Sequence, residues 1–244
     1  MSNFTDEQRL EHKIIRRFQK ALTTYHLIDD GDKILVALSG GKDSLCLLEM
    51  LGRRMKIQRP SFTVEAVHVR MENIQYESDT SYLEQFANHV GVPLHIVTTR
   101  FEESVQSRKP ACFLCSWHRR KQIFNLAQQL GCNKIALGHH MDDILHTALM
   151  NQFFQGHFST MPALLKMKKM PISIIRPLCL EIEADIKQYA EQKGYEKQLK
   201  LCPYEKASHR AEMKLLFEQV EQANPDARYS LWNAIETAGL LIEK

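Results

Sequence analysis

The chain has 244 residues, 44% hydrophobic and 25% charged, enough for one large domain, or a domain with an appendage, around a proper core. A net charge of +3 is too mild to announce nucleic acid by itself. No window reaches the roughly 18 apolar residues of a membrane span, and a start carrying Asp6, Glu7 and Glu11 does not read as a secretory signal. Six scattered cysteines do not form a secreted disulfide framework, so a reducing cytoplasm is the expected home.

Thr5 and two acids open a helix that carries Leu10, Ile14, Ile15, Phe18, Leu22 and Tyr25 at helical spacing to about residue 28. An Asp-Asp-Gly turn at 29–31 leads into an apolar strand over 34–38, and a helix follows two glycines and ends near Met55. Further strands are expected at 62–69, 94–98, 134–137 and 172–175. Between and after them lie helices at 81–90, 113–130, 142–154 and 181–193, with Gly91 and Gly131 as C-terminal stops. From about Leu199 strands are expected to cease, and two helices, 205–223 and 228–241, close the chain. The alternation predicts an α/β fold: a Rossmann-like parallel sheet of about five strands with helices on both faces, plus a C-terminal helical appendage. The expected division is 1–198 for the sheet domain with its N-terminal helix and 199–244 for the extension.

The most informative stretch is 34–44, where the first strand breaks at Ser39-Gly40-Gly41-Lys42-Asp43-Ser44. Glycine there lets the backbone take positive φ and approach a ligand closely. The unpaired amides and positive dipole end of the following helix make an anion site. Lys42 adds a mobile positive charge, and Ser39 and Ser44 add hydroxyl donors. Adjacent glycines exclude the usual P-loop and the dinucleotide turn, and the pattern resembles the pyrophosphate loop of ATP pyrophosphatases, which split ATP between the α and β phosphates. A bare glycine turn without ligand is the alternative.

Gly138-His139-His140-Met141-Asp142-Asp143 follows the fourth strand, and in such sheets ligands sit outside the carboxyl ends of the strands. Adjacent carboxylates at that edge suit magnesium carried by ATP phosphates. Asp142 also suits a helix cap, and the two histidines suit polar packing. Cys112-Phe-Leu-Cys115 precedes His118, Arg119, Arg120 and Lys121. Its spacing fits two thiolates on one metal or a reversible disulfide. With Cys202 a third thiol is available, and three suffice for an iron–sulfur cube with one iron open to exogenous sulfur. Cys46, Cys132 and Cys179 lie among apolar residues and read as core.

Gly31-Asp32 leading into the glycine loop, Cys-x-x-Cys followed by Arg-Arg, Lys134 to Asp143, Met161-Pro162 and Ile175-Arg176-Pro177-Leu178 occur in that order. Together they resemble the tRNA 2-thiocytidine synthetases, the TtcA group, from about Leu10 to the last helix. The resemblance implies an ATP-dependent tRNA thiolase with a 4Fe–4S cluster. Cys112, Cys115 and Cys202 would be its ligands, although Leu199 stands where the family carries a fourth nearby cysteine. Ser39, Gly40, Gly41, Lys42, Asp43 and Ser44 would hold the ATP pyrophosphate, with His68, Gly138, His139 and Asp143 completing the ATP site. Asp43, Arg119 and Asp142 would be the catalytic residues and Mg2+ the accompanying ion. The implied partners are tRNA, presented as a flipped-out loop base, and a sulfur donor, either a cysteine desulfurase or free sulfide. A homodimer is compatible with it. Two other readings stay open: an ATP pyrophosphatase acting on a different substrate or in another sulfur transfer, and a non-catalytic nucleotide- and RNA-binding protein with structural or redox cysteines.

Overall fold

The computed structural model describes residues 4–101, 111–201 and 209–243. In chain order these form α1 (Asp6–Thr24), β1 (Lys33–Ala37), α2 (Lys42–Arg54), β2 (Thr63–Met71), β3 (Gln75–Tyr76), α3 (Ser81–Val90), β4 (Leu94–Thr99) and α4 (Ala111–Gln129). There follow β5 (Lys134–Ala136), α5 (Met141–Gln155), β6 (Leu164–Lys166), β7 (Ser173–Ile175), α6 (Glu183–Lys193), β8 (Lys200–Leu201), α7 (His209–Ala223), α8 (Ala227–Thr237) and β9 (Ile242–Glu243).

The main sheet has the order β4-β2-β1-β5-β7-β6-β9. Its first five members run parallel and are the five strands expected from the sequence. Strand order reverses between β1 and β5, which opens a crevice at their carboxyl ends. The central strand reads as a continuous apolar run because both its faces are covered. Ile34 and Val36 pack with α1, α2, α5 and α6, whereas Leu35 packs with Ala127 and Ile123 of α4 on the other face.

Two expectations need correction. The sheet has seven strands rather than five, because β6 joins antiparallel to β7 and β9 adds on parallel to β6. Strands also do not cease at Leu199: β8 pairs antiparallel with β3, and β9 follows α8. These missed pieces are two or three residues long, too short to display a period-two pattern. The start of the expected 205–223 helix lies outside the described residues; α7 is described from His209. Among the described residues no helix is long and apolar enough to cross a membrane.

Helix α1 starts as its sequence dictates: Gln8 N–H donates to Thr5 Oγ1 (3.2 Å) and Thr5 N–H to Gln8 Oε1 (3.0 Å), a reciprocal capping box. Its inner face buries Leu10, Ile14 and Phe18. Beneath it Glu181 is fully buried. The Arg17 Nη1 atom lies 3.7 Å away and sits closer to Asp185, at 2.6 Å. Burial, with Asp185 adding to it and Arg17 opposing, pushes the Glu181 carboxyl up to about 8. Between its ordinary 4.5 and that value the folded protein keeps a proton that the unfolded chain releases. The stabilising contribution is therefore complete below the lower value and is lost as pH rises through the upper one. Glu181→Gln, neutral at every pH, is expected to gain stability relative to the parent across that window. Denaturant midpoints that stay parallel from acid to mild alkali would count against it.

Candidate nucleotide site and cysteine pair

Strand β1 delivers the chain to a loop that is shaped by its own hydroxyls. Ser44 Oγ donates to the Gly41 carbonyl (2.8 Å), Gly41 N–H donates to Ser39 Oγ (3.3 Å), and the two serine oxygens lie 3.1 Å apart. Gly40 has φ of +82°, and a Cβ there would come within 2.6 Å of Gln198 Cβ. Gln198 N–H donates to the Gly40 carbonyl at 3.0 Å. Gly41 is the N-cap of α2, so the first-turn amides of Lys42, Asp43 and Ser44 lie just beyond the loop. A Cβ on Gly138 would sit 3.1 Å from backbone atoms of Asp43 and Ser44. Backbone cannot yield as a side chain can, so glycine at the exit of β5 is what lets the two loops of the crevice touch.

Charged groups converge beside this contact. Lys42 Nζ donates to Asp43 Oδ2 and to Glu183 Oε1, both at 3.2 Å. Burial alone would lower the Lys42 ammonium, but Asp43 and Glu183 raise it. Lys214 of α7 reaches Glu183 Oε2 at 2.9 Å and, together with Lys42 and against burial, holds that carboxyl down at about 2. His140 is the buried N-cap of α5, with its Nε2 3.4 Å from Asp143 Oδ2 and 3.9 Å from Asp43 Oδ1. Burial opposes protonation of His140, but Asp142, Asp143 and Asp43 outweigh it and raise its pKa.

Asp142 stands differently from its neighbour Asp143. One of its oxygens accepts Glu183 N–H at 2.7 Å, capping α6, and the other accepts Arg228 Nη1 of α8 at 2.5 Å. Burial would raise this carboxyl, yet His140, Arg228 and the Glu183 amide hold it well below the usual range. Arg228 in turn grips Glu221 with two hydrogen bonds, at 2.8 and 3.0 Å. Asp142 is thus engaged on both oxygens inside the protein. His139 accepts Arg176 Nε at 3.3 Å on its Nδ1, and buried Arg176 also donates to the Pro162 carbonyl. These contacts join Pro162, Arg176 and the histidine run, far apart in sequence, at one place.

Next to the glycine loop lies a cavity of about 260 Å³, lined by Leu38, Ser39, Gly41, His68, Tyr76, Arg119 and Gln198 among others. His68 Nδ1 is 2.7 Å from the Leu38 carbonyl. A carbonyl only accepts, so Nδ1 carries the proton and Nε2 presents a lone pair. That Nε2 is buried without a hydrogen-bond partner, as is Arg119 Nε. Burial lowers the His68 pKa, and the charges of Arg119 and Arg70 push the same way, which keeps the ring neutral. Arg119 Nη2 donates to Tyr76 OH at 3.2 Å, and that hydroxyl also accepts Met71 N–H at 3.1 Å. An acceptor and a donor in want of partners beside a phosphate-type loop are what a nucleoside would satisfy.

Cys112 and Cys115 sit one turn apart in the first turns of α4. Cys112 is exposed, while Cys115 packs with Tyr76 and Leu114 against Met71, Ile74 and Phe101. Arg119 is four residues beyond Cys115, on the same side of the helix. Cys202, the third expected ligand, lies outside the described residues. It follows β8 in the chain, and β8 is paired with β3 in the register Tyr76↔Lys200 and Gln75↔Leu201. Among the described residues no group of three or more histidine, cysteine, aspartate or glutamate side chains is arranged to hold a metal ion by itself. Two thiols one turn apart fit a soft iron–sulfur group that takes its third ligand from elsewhere. Asp43 and Asp143 fit magnesium, which uses one or two carboxylates plus phosphate oxygens. Cys46, Cys132 and Cys179 are buried, and burial raises each thiol above its ordinary range, in keeping with a core role.

Sequence reasoning missed Gln198, Glu183, Tyr76 and Arg228, all of which reach the site across long separations and carry no local signature. The expected ATP-site residues Ser39 to Ser44, Gly138 and Asp143 come together at the crevice, His68 faces the cavity, and His139 is turned to Arg176.

Residues 10–199 match the family model described as a PP-loop domain. A tRNA-cytidine(32) 2-sulfurtransferase of Francisella tularensis subsp. novicida is 35% identical over 96% of this chain and 90% of its own length. One from Burkholderia multivorans is 34% identical over 94% of this chain and 70% of its own. The structure of the U34-tRNA thiolase NcsA from Methanococcus maripaludis, with its 4Fe–4S cluster, superposes with a TM-score of 0.78. It covers 97% of this chain and 80% of that one at 24% identity, which speaks for the fold. Matched along nearly its whole length by relatives 34–35% identical, this chain belongs to the tRNA-cytidine 2-sulfurtransferases, the TtcA group of PP-loop proteins.

Proposed function

We propose that this protein is an ATP-dependent tRNA sulfurtransferase that converts a cytidine of the anticodon loop to 2-thiocytidine. The observation that carries the reading is one cavity bordered by the glycine loop on one side and by Arg119, a turn beyond the cysteine pair, on the other. The cytosine carbonyl oxygen is a poor leaving group. Its attack on the α-phosphorus of ATP expels pyrophosphate and makes it a phosphate ester, which leaves as AMP when sulfur takes its place on carbon.

The loop amides and Lys42 bind the β and γ phosphates and stabilise the charge that develops on pyrophosphate. Lys42 exchanges Glu183 for phosphate, and Lys214 keeps Glu183 neutralised. Asp43 and Asp143 take the magnesium that accompanies ATP. Asp142 acts through its neighbours, fixing His140, α6 and Arg228. His68 and Arg119 offer the nucleoside an acceptor and a donor, and Arg119 neutralises the adenylated base. A 4Fe–4S cluster on Cys112, Cys115 and Cys202 would supply an iron position open to exogenous sulfur. That sulfur is delivered by a desulfurase or as free sulfide. The sheet domain, 1–198, carries the ATP site, and 199–244 is a mainly helical extension, with the short strands β8 and β9, that holds the third ligand. The working compartment is the cytoplasm, and a homodimer is the proposed assembly.

The test is to incubate the iron-loaded protein with Mg-ATP, sulfide and an unmodified tRNA transcript. AMP and pyrophosphate should appear with tRNA, and 2-thiocytidine should be found in the digested RNA. AMP without any dependence on tRNA would point to a different substrate. Formation of neither AMP nor pyrophosphate would reduce the protein to a binding module.

A further inference from the structure

Between Glu103 and Asp142 the chain contains no acidic residue, although Asp and Glu make up 29 of its 244 residues. The same stretch holds Arg108, Lys109, Arg119, Arg120, Lys121 and Lys134. Half of it is α4, whose two long faces do different things. The inner face sends Ala127 and Ile123 to the sheet and Arg119 to the cavity. The outer face carries Phe113, Trp117, Arg120 and Lys121, all exposed. Trp117 is 49% exposed, an unusual position for the largest side chain. Lys121 Nζ lies 5.5 Å from its ring centroid, and Arg120 folds back to Ser116 Oγ at 3.3 Å.

We propose that this outer stripe of α4 seats single-stranded RNA, with one unstacked base on the Trp117 ring and the adjoining phosphates on Lys121 and Arg120. The proposal rests on the tRNA reading above and adds where the loop lies. A half-exposed aromatic ring, steadied by the His118 ring 4.9 Å away and flanked by cations, accepts any base by stacking while the charges follow the backbone. A second copy of this chain would bring like charges together on a helix without acids, so charge complementarity selects a polyanion. A helix is only about 10 Å across. A loop that offers its target base to the inner face therefore lays neighbouring nucleotides over the outer one.

The chain has two tryptophans, and the other, Trp232, is 7% exposed, so quenchable emission reports Trp117. Titrating the full chain with an unmodified tRNA transcript is expected to quench that emission saturably, whereas blunt RNA duplex leaves it unchanged. Trp117→Ala should bind tRNA about tenfold more weakly, the scale of one lost base stack. Trp117→Phe should recover most of the affinity. Lys121→Ala should lower the slope of log Kd against log salt by about one. Parent protein that binds tRNA with unchanged emission, or Trp117→Ala that binds as tightly as the parent, would overturn the proposal alone. Quenching that follows protein concentration without RNA would overturn it in favour of a contact between copies. Failure of the parent to bind tRNA at all would reject the tRNA reading, and this seat with it.

Discussion

Asp43→Ala is expected to lower tRNA-dependent AMP formation by about 10²–10³-fold, the range in which loss of one preorganised charge-stabilising group slows an enzyme. Asp43 Oδ1 is buried and accepts no hydrogen bond of good geometry, although Lys42 Nζ lies 3.2 Å away and His140 Nε2 3.9 Å. A buried carboxylate oxygen without a donor is costly, and the arrangement makes sense as a seat for a cation that arrives with ATP. Asp43→Asn keeps the volume and the helix start, so it should fold as the parent does and lose nearly as much rate. Iron content and visible absorption should stay unchanged in both variants. The measurement is AMP release over time, alongside iron per chain. Loss of iron in the Asp43 variants would mean that the two sites are not separate.

Cys112→Ser is expected to do the reverse. The iron content of the purified protein should drop at least tenfold, the visible absorption shoulder should vanish, and 2-thiocytidine should become undetectable. AMP formation should persist. Serine matches cysteine in size but lacks the soft thiolate that selects iron–sulfur groups. Cys112 is exposed at the start of α4, so its replacement removes little packing. Thermal unfolding of metal-free parent and variant should therefore coincide. A colourless variant that still thiolates tRNA would exclude the cluster from the reaction. A coloured one would exclude Cys112 from the cluster.

The five parallel strands were legible because each is rich in β-branched residues and bounded by turn residues, even the edge strand β4, which buries none of its residues, and their ends fall within about two residues of expectation. Helix α1 was legible to its cap but not to its end: it stops at Thr24, and His26 takes positive φ before the turn at 29–31. The loop from Ser39 to Ser44 was legible because glycine spacing dictates backbone shape directly. The division of labour between Asp142 and Asp143 was not. Two adjacent carboxylates look alike in sequence, and only the packing of α6 and α8 commits one of them to Glu183 N–H and Arg228. Gln198 was invisible for a similar reason. Its contact with Gly40 spans the whole sheet domain, and nothing in Lys197-Gln198-Leu199 announces it. Cys202 remains a sequence expectation, supported by the β3–β8 pairing that precedes it in the chain.

That small pairing has a wider consequence. The segment after α6 first hydrogen-bonds the glycine loop through Gln198, then Ser78 and Glu77 through Leu199, and then β3 through β8. One short run of backbone thus touches the floor of the nucleotide crevice and precedes, by four residues in sequence, Cys202, the proposed third ligand. A protease nick anywhere in that run is expected to uncouple the glycine loop from the proposed ligand while leaving the central strands stacked as before.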